Sequence, residues 1–507
     1  MKSSSDSNEF LFSSDRLDRL STLNPEELIK IIELYKDTYE RAVKINKKQA
    51  QTIVVLQAQL GIEAQELLLL QEQLVIVRNE IFGRSSERRK KDLVEKEGQD
   101  AQKKPKKQRP SVRFPNAELV ESRFEFETLP SCPSCEVQMS PMGQFEESEE
   151  VDMVPRRFFV RRILRQKCRC GNCHSSIVTA PGPNKLIEGG SYSLGFATEV
   201  AVQKYAHHVP VERQKVQMQA QGLQGIEART LIDQTHHLAD LLRPAYRAIA
   251  KEVKSAKIIN ADETPWKMLE GHPKKSWCLW GFCCSTAIYL QAKDSRSQDT
   301  PNQFLNQSDA QYLVVDGYTG YCPGSKNNQI KIANCWAHVR RKFIKAEEFD
   351  SRATQIIDWI GMLYSLDREA ENLKEKLLIR NTKSRQIIEK INEWLMAQHA
   401  LPKSAMGKAL QYARNYWQGL IVFLEDPGIP LDNNLAERAL RGPVLGRKNF
   451  YGNHSQQGAE TSSILYTICE SCKLNHVDPA NNVQYAASEI YAGKSPLTPA
   501  AYRALSP

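Results

Sequence analysis

Between Ile53 and Ile81 the apolar residues Ile53, Leu56, Leu60, Leu67, Leu70, Leu74, Val77 and Ile81 recur in alternating steps of three and four, with Glu63 the polar break. A period near 3.5 keeps one helical stripe apolar and leaves it in need of a partner helix, so the pattern predicts a coiled coil and self-association. Leu28, Ile32, Tyr35 and Tyr39 keep the register more weakly, which places the coiled coil at 25–86 after a polar, disordered start at 1–24. The plainer reading is a long amphipathic helix packed on its own protein; four heptads argue against it. The period then stops, and the Lys- and Pro-rich stretch 87–120 reads as a flexible basic linker. Helical spacing returns over 191–254, where Gly222 and Gly225 separate two amphipathic stretches, a candidate helix-turn-helix for reading DNA.

From Lys257 the spacing changes to short apolar runs bounded by turn residues, as strands require. "AKIINADETPW" ends its run at Asp262, "SWCLWGFCC" and "TAIYLQA" resemble a hairpin, and "QYLVVDGYTGY" ends its run at Asp316. "NCWAHVRRKF" then opens a helix, and 350–424 is a helical block carrying Trp359, Trp394 and Trp417. At helical spacing those tryptophans read as core; stacking on unpaired bases is the alternative. "LDNNLAERALRGPVLGRKNFY" follows, a helix that Asp432 or Asn433 can cap, before a C-terminal region at 461–507.

Length and charge refine this picture. A chain of 507 residues, 41% apolar and 25% charged, suits a soluble protein of about three or four domains. The net charge of +9 is concentrated: residues 87–113 hold eleven Lys and Arg against five acids, and 154–167 hold six bases and no acid. Such surpluses fit a polyanion, although basic runs also serve as solvated linkers. The chain has neither an eighteen-residue apolar run nor a secretory-type start, so no membrane association and a cytoplasmic location are expected.

In a reducing compartment the twelve cysteines are better read as metal ligands than as disulfides. Cys132 and Cys135 in "CPSC", with Cys170 and Cys173 in "KCRCGNC", give four thiolates, the set for a closed tetrahedral Zn2+ site. The long separation of the pairs implies a ribbon with an inserted hairpin over 121–190. Cys168 and His174 are left over.

Asp262 and Asp316 each stand where an apolar strand gives way to polar residues, and Glu437 stands in the first turn of a later helix. Alone, each has a bland reading: a turn former, or for Glu437 an ion pair with Arg441 one turn on. Together, three carboxylates can hold two Mg2+ ions, with Mn2+ able to replace them, for an in-line displacement at phosphorus. Arg438, Arg441, Arg447 and Lys448 around Glu437, Arg340, Arg341 and Lys342 in the preceding helix, and Arg156, Arg157, Arg161 and Arg162 beside the ribbon are then candidates for facing DNA phosphates. Glu263 should point away from Asp262 and is not counted as a ligand. For Cys335 and His338 in "CWAH", a packing or site-shaping role is favoured over catalysis.

"NADETPW", "VVDGYTGY", "NCWAHVRRKF" and "LDNNLAERALRGPVLGRKNFYGN", preceded by a zipper-like helix, "FGRSSER" and "CPSC", resemble the transposases of the insertion-sequence sixty-six family over roughly residues 25–490. The resemblance implies a multidomain α/β chain with a ribonuclease H-like core at 255–349 and 425–460, interrupted by a helical insertion at 350–424. It also implies a DDE enzyme that cuts double-stranded DNA at transposon ends and joins them to a target, with accessory proteins of the same element as further partners. The Asp of "ADET" is Asp262, the Asp of "DGYTGY" is Asp316 and the Glu of "NNLAER" is Glu437. The rival readings are a non-catalytic zinc-dependent DNA-binding regulator, and a nuclease or resolvase on the same fold that hydrolyses without joining.

Overall fold

The structure, a computed structural model, describes residues 158–169, 177–269, 276–317, 320–321 and 330–505, with shorter or isolated stretches between 36 and 151. The coiled-coil seam at 53–81, the four zinc-ribbon cysteines, Arg156 and Arg157 lie outside the described residues. Described positions from Lys36 to Lys47 are helical, with Tyr39, Val43 and Ile45 exposed. Among the described residues no helix is long and apolar enough to cross a membrane.

Strands β1 (Lys167–Arg169) and β2 (Ile177–Thr179) form an antiparallel hairpin that brackets the second cysteine knuckle, with Cys168 exposed opposite Val178. Four helices follow: α1 (Leu194–Tyr205), α2 (Val211–Ala220), α3 (Ala228–Leu241) and α4 (Arg243–Lys254). Gly222 and Gly225, between α2 and α3, take φ of +101° and +83°, left-handed values that glycine adopts without steric cost. Leu231 and Leu238 of α3 are fully buried, and His236 Nδ1 lies 2.7 Å from Thr461 Oγ1, so α3 is largely spent on packing. Arg229 on its outer side is met by Asp233 one turn on.

The sheet consists of β3 (Ile258–Lys267), β4 (Ser276–Cys283), β5 (Ile288–Lys293), β6 (Tyr312–Val315) and β7 (Lys331–Asn334), in the order β5-β4-β3-β6-β7. β4 runs antiparallel to both its neighbours, whereas β3, β6 and β7 are parallel. The expected hairpin is β4–β5. α5 (Asp299–Leu305) follows it, and α6 (Trp336–Glu347) follows β7. The helical block contains α7 (Ala353–Glu369), α8 (Leu373–Ile379), α9 (Arg385–Ala397) and α10 (Ala405–Asn415). The chain ends in α11 (Asn434–Phe450), α12 (Gln456–Leu474), α13 (Pro479–Tyr491) and α14 (Pro499–Leu505).

Two compact units emerge. In the smaller, comprising 1–86, 342–355 and 397–412, the Arg352 guanidinium donates to Asp350 (2.6 Å) and Gln398 (3.0 Å), and Lys342 Nζ lies 4.5 Å over the Tyr412 ring. The larger holds the sheet with α11 on β3 and β4, and α12 on β5. Its core includes Tyr205, Trp266, Trp280, Phe282, Leu290 and Tyr466.

β5 is a sheet edge whose outward N–H groups need acceptors. α12 supplies them at helical spacing: Ala292, Leu290 and Ile288 donate to the hydroxyls of Ser463 (2.9 Å), Thr467 (2.8 Å) and Ser471 (3.0 Å). α12 crosses the boundary expected at residue 460 unbroken. Its small hydroxyl residues carry little apolar signal, so most of the helix falls in what the sequence marks as a separate C-terminal region.

A candidate active site between two strands and a helix

β3 and β6 are paired in parallel from Ile258↔Tyr312 to Asn260↔Val314, and that register carries Asp262 level with Asp316. Asp316 directly follows β6, as its apolar run predicts. Asp262 does not end its strand: β3 continues to Lys267, paired with β4 alone. The polar residues that look like a strand end mark instead the point where β3 and β6 part, which opens a gap at the two aspartates.

Glu437 comes to this gap through Asn433. That side chain is fully buried; it accepts from Asn260 Nδ2 (3.0 Å) and donates to the Ala261 carbonyl (2.7 Å). Its backbone N–H donates to Cys335 Sγ at 3.2 Å. Asn433 therefore ties the start of α11 to the strand residues just before Asp262, and Glu437 sits one turn further on. The Asn433 side chain does not cap the helix; Asp432 Oδ1 takes the Asn434 N–H at 3.0 Å.

The site's electrostatics are those of negative charges gathered around a largely buried carboxyl. Burial raises the Asp262 carboxyl to about 7, and the nearby negative charges of Glu263, Asp316 and Glu437 add to the rise, against one lowering bond from the Glu263 N–H. Glu437 Oε1 is buried and accepts no hydrogen bond. The basic groups facing it stand off: His338 Nδ1 at 3.8 Å and Arg341 Nη2, facing Oε2, at 3.9 Å. The expected pair with Arg441 does not form, because α6 supplies the partners. Asp262 feels the negative charges of both Asp316 and Glu437, and hard-oxygen donors of this kind, one with an orphaned buried oxygen, fit a Mg2+ ion.

Glu263 is engaged on its own terms. Tyr321 donates to its Oε2 (2.5 Å), Arg296 Nε to its Oε1 (3.1 Å), and the side chain is 3% exposed. With its charge paired, Glu263 is not a free ligand.

A cleft of about 490 Å³ opens here, lined by Asp262, Glu437, His338, Arg341, Arg441 and Lys448, among others. Of the predicted phosphate-facing bases, Arg341, Arg441 and Lys448 line it and Arg438 is exposed on α11. Arg447 is turned inward to Thr264 Oγ1 (3.2 Å) and the Pro265 carbonyl, a staple between α11 and β3 rather than a rim charge. Arg340 is half-buried, and Arg161 and Arg162 are exposed beside β1. Trp359 packs edge-on against Trp394 (6.4 Å) and Trp417 against Trp336 (6.2 Å), which supports their reading as packing residues.

The sequence does not single out Asn260, Tyr321 or Arg296, and it offers Asn433 only as a helix cap. A polar Asn inside the apolar run of β3 was the available signal for the first; the others depend on contacts between distant segments.

Comparison with known proteins places these residues in a family. Residues 130–174, which contain Cys132, Cys135, Cys170 and Cys173, match the zinc-finger binding domain of transposase IS66, which supports a structural zinc there. The chain is similar to three uncharacterized proteins of Sinorhizobium fredii (strain NBRC 101917 / NGR234). y4hP is 26% identical over 73% of this chain and 72% of its own length, y4jD 27% over 72% and 76%, and y4qI 29% over 74% and 73%. Residues 189–461, more than half the chain and the whole of the site, match the model of the Transposase IS66 family, and the protein belongs to that family.

Proposed function

We propose that the chain is a DDE transposase that binds the terminal inverted repeats of its element, cleaves the ends and joins each 3′-hydroxyl to target DNA. The observation that carries this reading is the convergence of Asp262, Asp316 and Glu437 at the opening between β3 and β6, with Glu437 Oε1 left unsatisfied. The sheet order, with one antiparallel strand inside a parallel set, supports a ribonuclease H-like core.

In this reading Asp262, Asp316 and Glu437 hold Mg2+, which supplies neutralisation of the charge that develops in an in-line displacement at phosphorus. The chain's own residues do the rest. Arg341, Arg441 and Lys448 bind and orient the phosphates along the cleft, Asn433 fixes the position of Glu437, and the Tyr321 and Arg296 contacts keep Glu263 out of the ligand set. The zinc ribbon and the basic 154–167 run hold flanking DNA, and the N-terminal heptads pair copies of the chain. Accessory proteins of the same element are further partners.

The test is incubation with linear DNA carrying the element's ends in Mg2+, scoring 3′-end cleavage and joining. Asp262→Asn and Glu437→Gln are expected to abolish both while end binding persists. Mg2+-dependent cleavage retained in both variants sinks the assignment, and cleavage without joining by the unaltered chain favours a nuclease.

A further inference from the structure

Cys335 immediately precedes α6, and His338 lies three residues on, in its first turn. Residues at that spacing share a helix face, so a thiol and an imidazole project together from one helix start. Glu437 adds a carboxylate from the first turn of α11. Ligand atoms of the three, a sulfur, a ring nitrogen and a carboxylate oxygen, lie within 4.8 Å of one another.

The surroundings of the sulfur form a second, independent observation. Cys335 Sγ is fully buried and accepts backbone N–H groups from three residues: Asn433 (3.2 Å), Ala337 and His338. Burial pushes the Cys335 thiol up to about 11 and these N–H groups work against that rise, and outer contacts of this kind orient and tune metal ligands. The third element is the oxygen that nothing satisfies, Glu437 Oε1, 3.8 Å from His338 Nδ1.

We propose that Cys335, His338 and Glu437 form a second cation site, specific for thiophilic ions such as Zn2+, that regulates the enzyme by taking Glu437 out of the Asp262–Asp316 set while it is filled. The donor set decides the selectivity. Sulfur and imidazole favour Zn2+ or Co2+, whereas Mg2+ demands oxygen. Cys-x-x-His with one further ligand gives three protein donors, and the cleft that His338 and Glu437 line leaves a fourth position to water. On binding, the Cys335 thiol releases its proton to solvent and the ion takes its place on sulfur. One glutamate then serves two competing ions, and zinc acts as an inhibitor that Mg2+ must displace. The proposal rests on the catalytic role given to Glu437, but its metal-binding half can be tested apart from it.

The test is Co2+ titration of the full chain, followed by metal analysis and the sulfur-to-cobalt charge-transfer absorption. Two Co2+ per chain are expected, one in the ribbon and one here. Cys132→Ser should lose one equivalent and Cys335→Ser the other, while Cys335→Ser with Cys132→Ser binds none with sulfur character. Because Cys335 also anchors two helix starts, His338→Asn is the second variant, expected to weaken this site at least about 10-fold with its melting curve unchanged. In Mg2+, low-micromolar Zn2+ is expected to cut end cleavage by the unaltered chain about 10-fold or more, reversibly by chelator, and the residual cleavage of His338→Asn to be insensitive to it. Cobalt stoichiometry and spectra in Cys335→Ser and His338→Asn identical to the unaltered chain overturn the proposal. Cobalt binding as described, with cleavage surviving Glu437→Gln, would instead overturn the catalytic reading and leave the site standing.

Discussion

Helices α11 and α12 follow one another in the chain and lie on the same sheet, yet their polar side chains are used in opposite ways. α12 sets three hydroxyls against the free edge of β5, and each accepts a strand N–H. α11 brings Glu437 to a half-buried position and leaves one of its oxygens, itself buried, without a donor, with two basic side chains of α6 nearly 4 Å away. Buried polar atoms ordinarily find partners, because leaving one unpaired costs about 1–3 kcal/mol. α12 obeys that rule as scaffold; the start of α11 departs from it at the proposed metal site.

The sharpest way to break the contrast is Glu437→Gln. It should reduce end cleavage about 10³-fold or more without lowering the melting temperature, since no hydrogen bond to Oε1 is lost. A large loss of stability would make Glu437 a structural residue like those of α12.

Gly446→Ala probes the close approach of the two helices. A Cβ there would overlap the Tyr466 hydroxyl and come within 2.7 Å of the Phe450 ring, so a cost of about 3 kcal/mol is expected in denaturant unfolding. Asp262→Asn should act in the opposite direction. The folded chain holds a proton on Asp262 up to about pH 7, against 3.8 for an ordinary carboxyl, so the stability that proton confers is full below about pH 4 and lost as pH rises to 7. The metal-free variant should accordingly be about 2 kcal/mol more stable than its parent at pH 8, with the gain vanishing near pH 4. Thr467→Val, which removes the acceptor for Leu290, should cost about 1 kcal/mol and leave cleavage chemistry intact. The smallest effect falls on the rim: Arg441→Ala should weaken DNA binding across sequences and reduce the slope of log affinity against log salt by about 1.

The contrast also separates what could be read in the chain from what could not. The strands were visible as apolar runs, and the three carboxylates could be placed because each stands beside such a run or in a helix's first turn. Their grouping came from the resemblance, and no local pattern announces that Asn433 reaches Asn260 across 173 positions. Arg447 and Arg441 look equivalent in "RALRGPVLGRK", and only the course of β3 beyond Asp262 shows that one is a staple and the other a rim charge. Glu437 was matched to Arg441 because the helical i, i+4 rule sees only its own helix, whereas its actual neighbours come from α6.

The hydroxyl ladder on β5 also sets a timetable. A ribosome releases β5 some 170 residues before Ser463 emerges to cover it, with Thr467 and Ser471 later still. Through that interval the nascent half-sheet offers a bare row of N–H donors to any neighbouring strand. A message cut short before codon 456 would therefore yield a chain prone to sticking to its own kind.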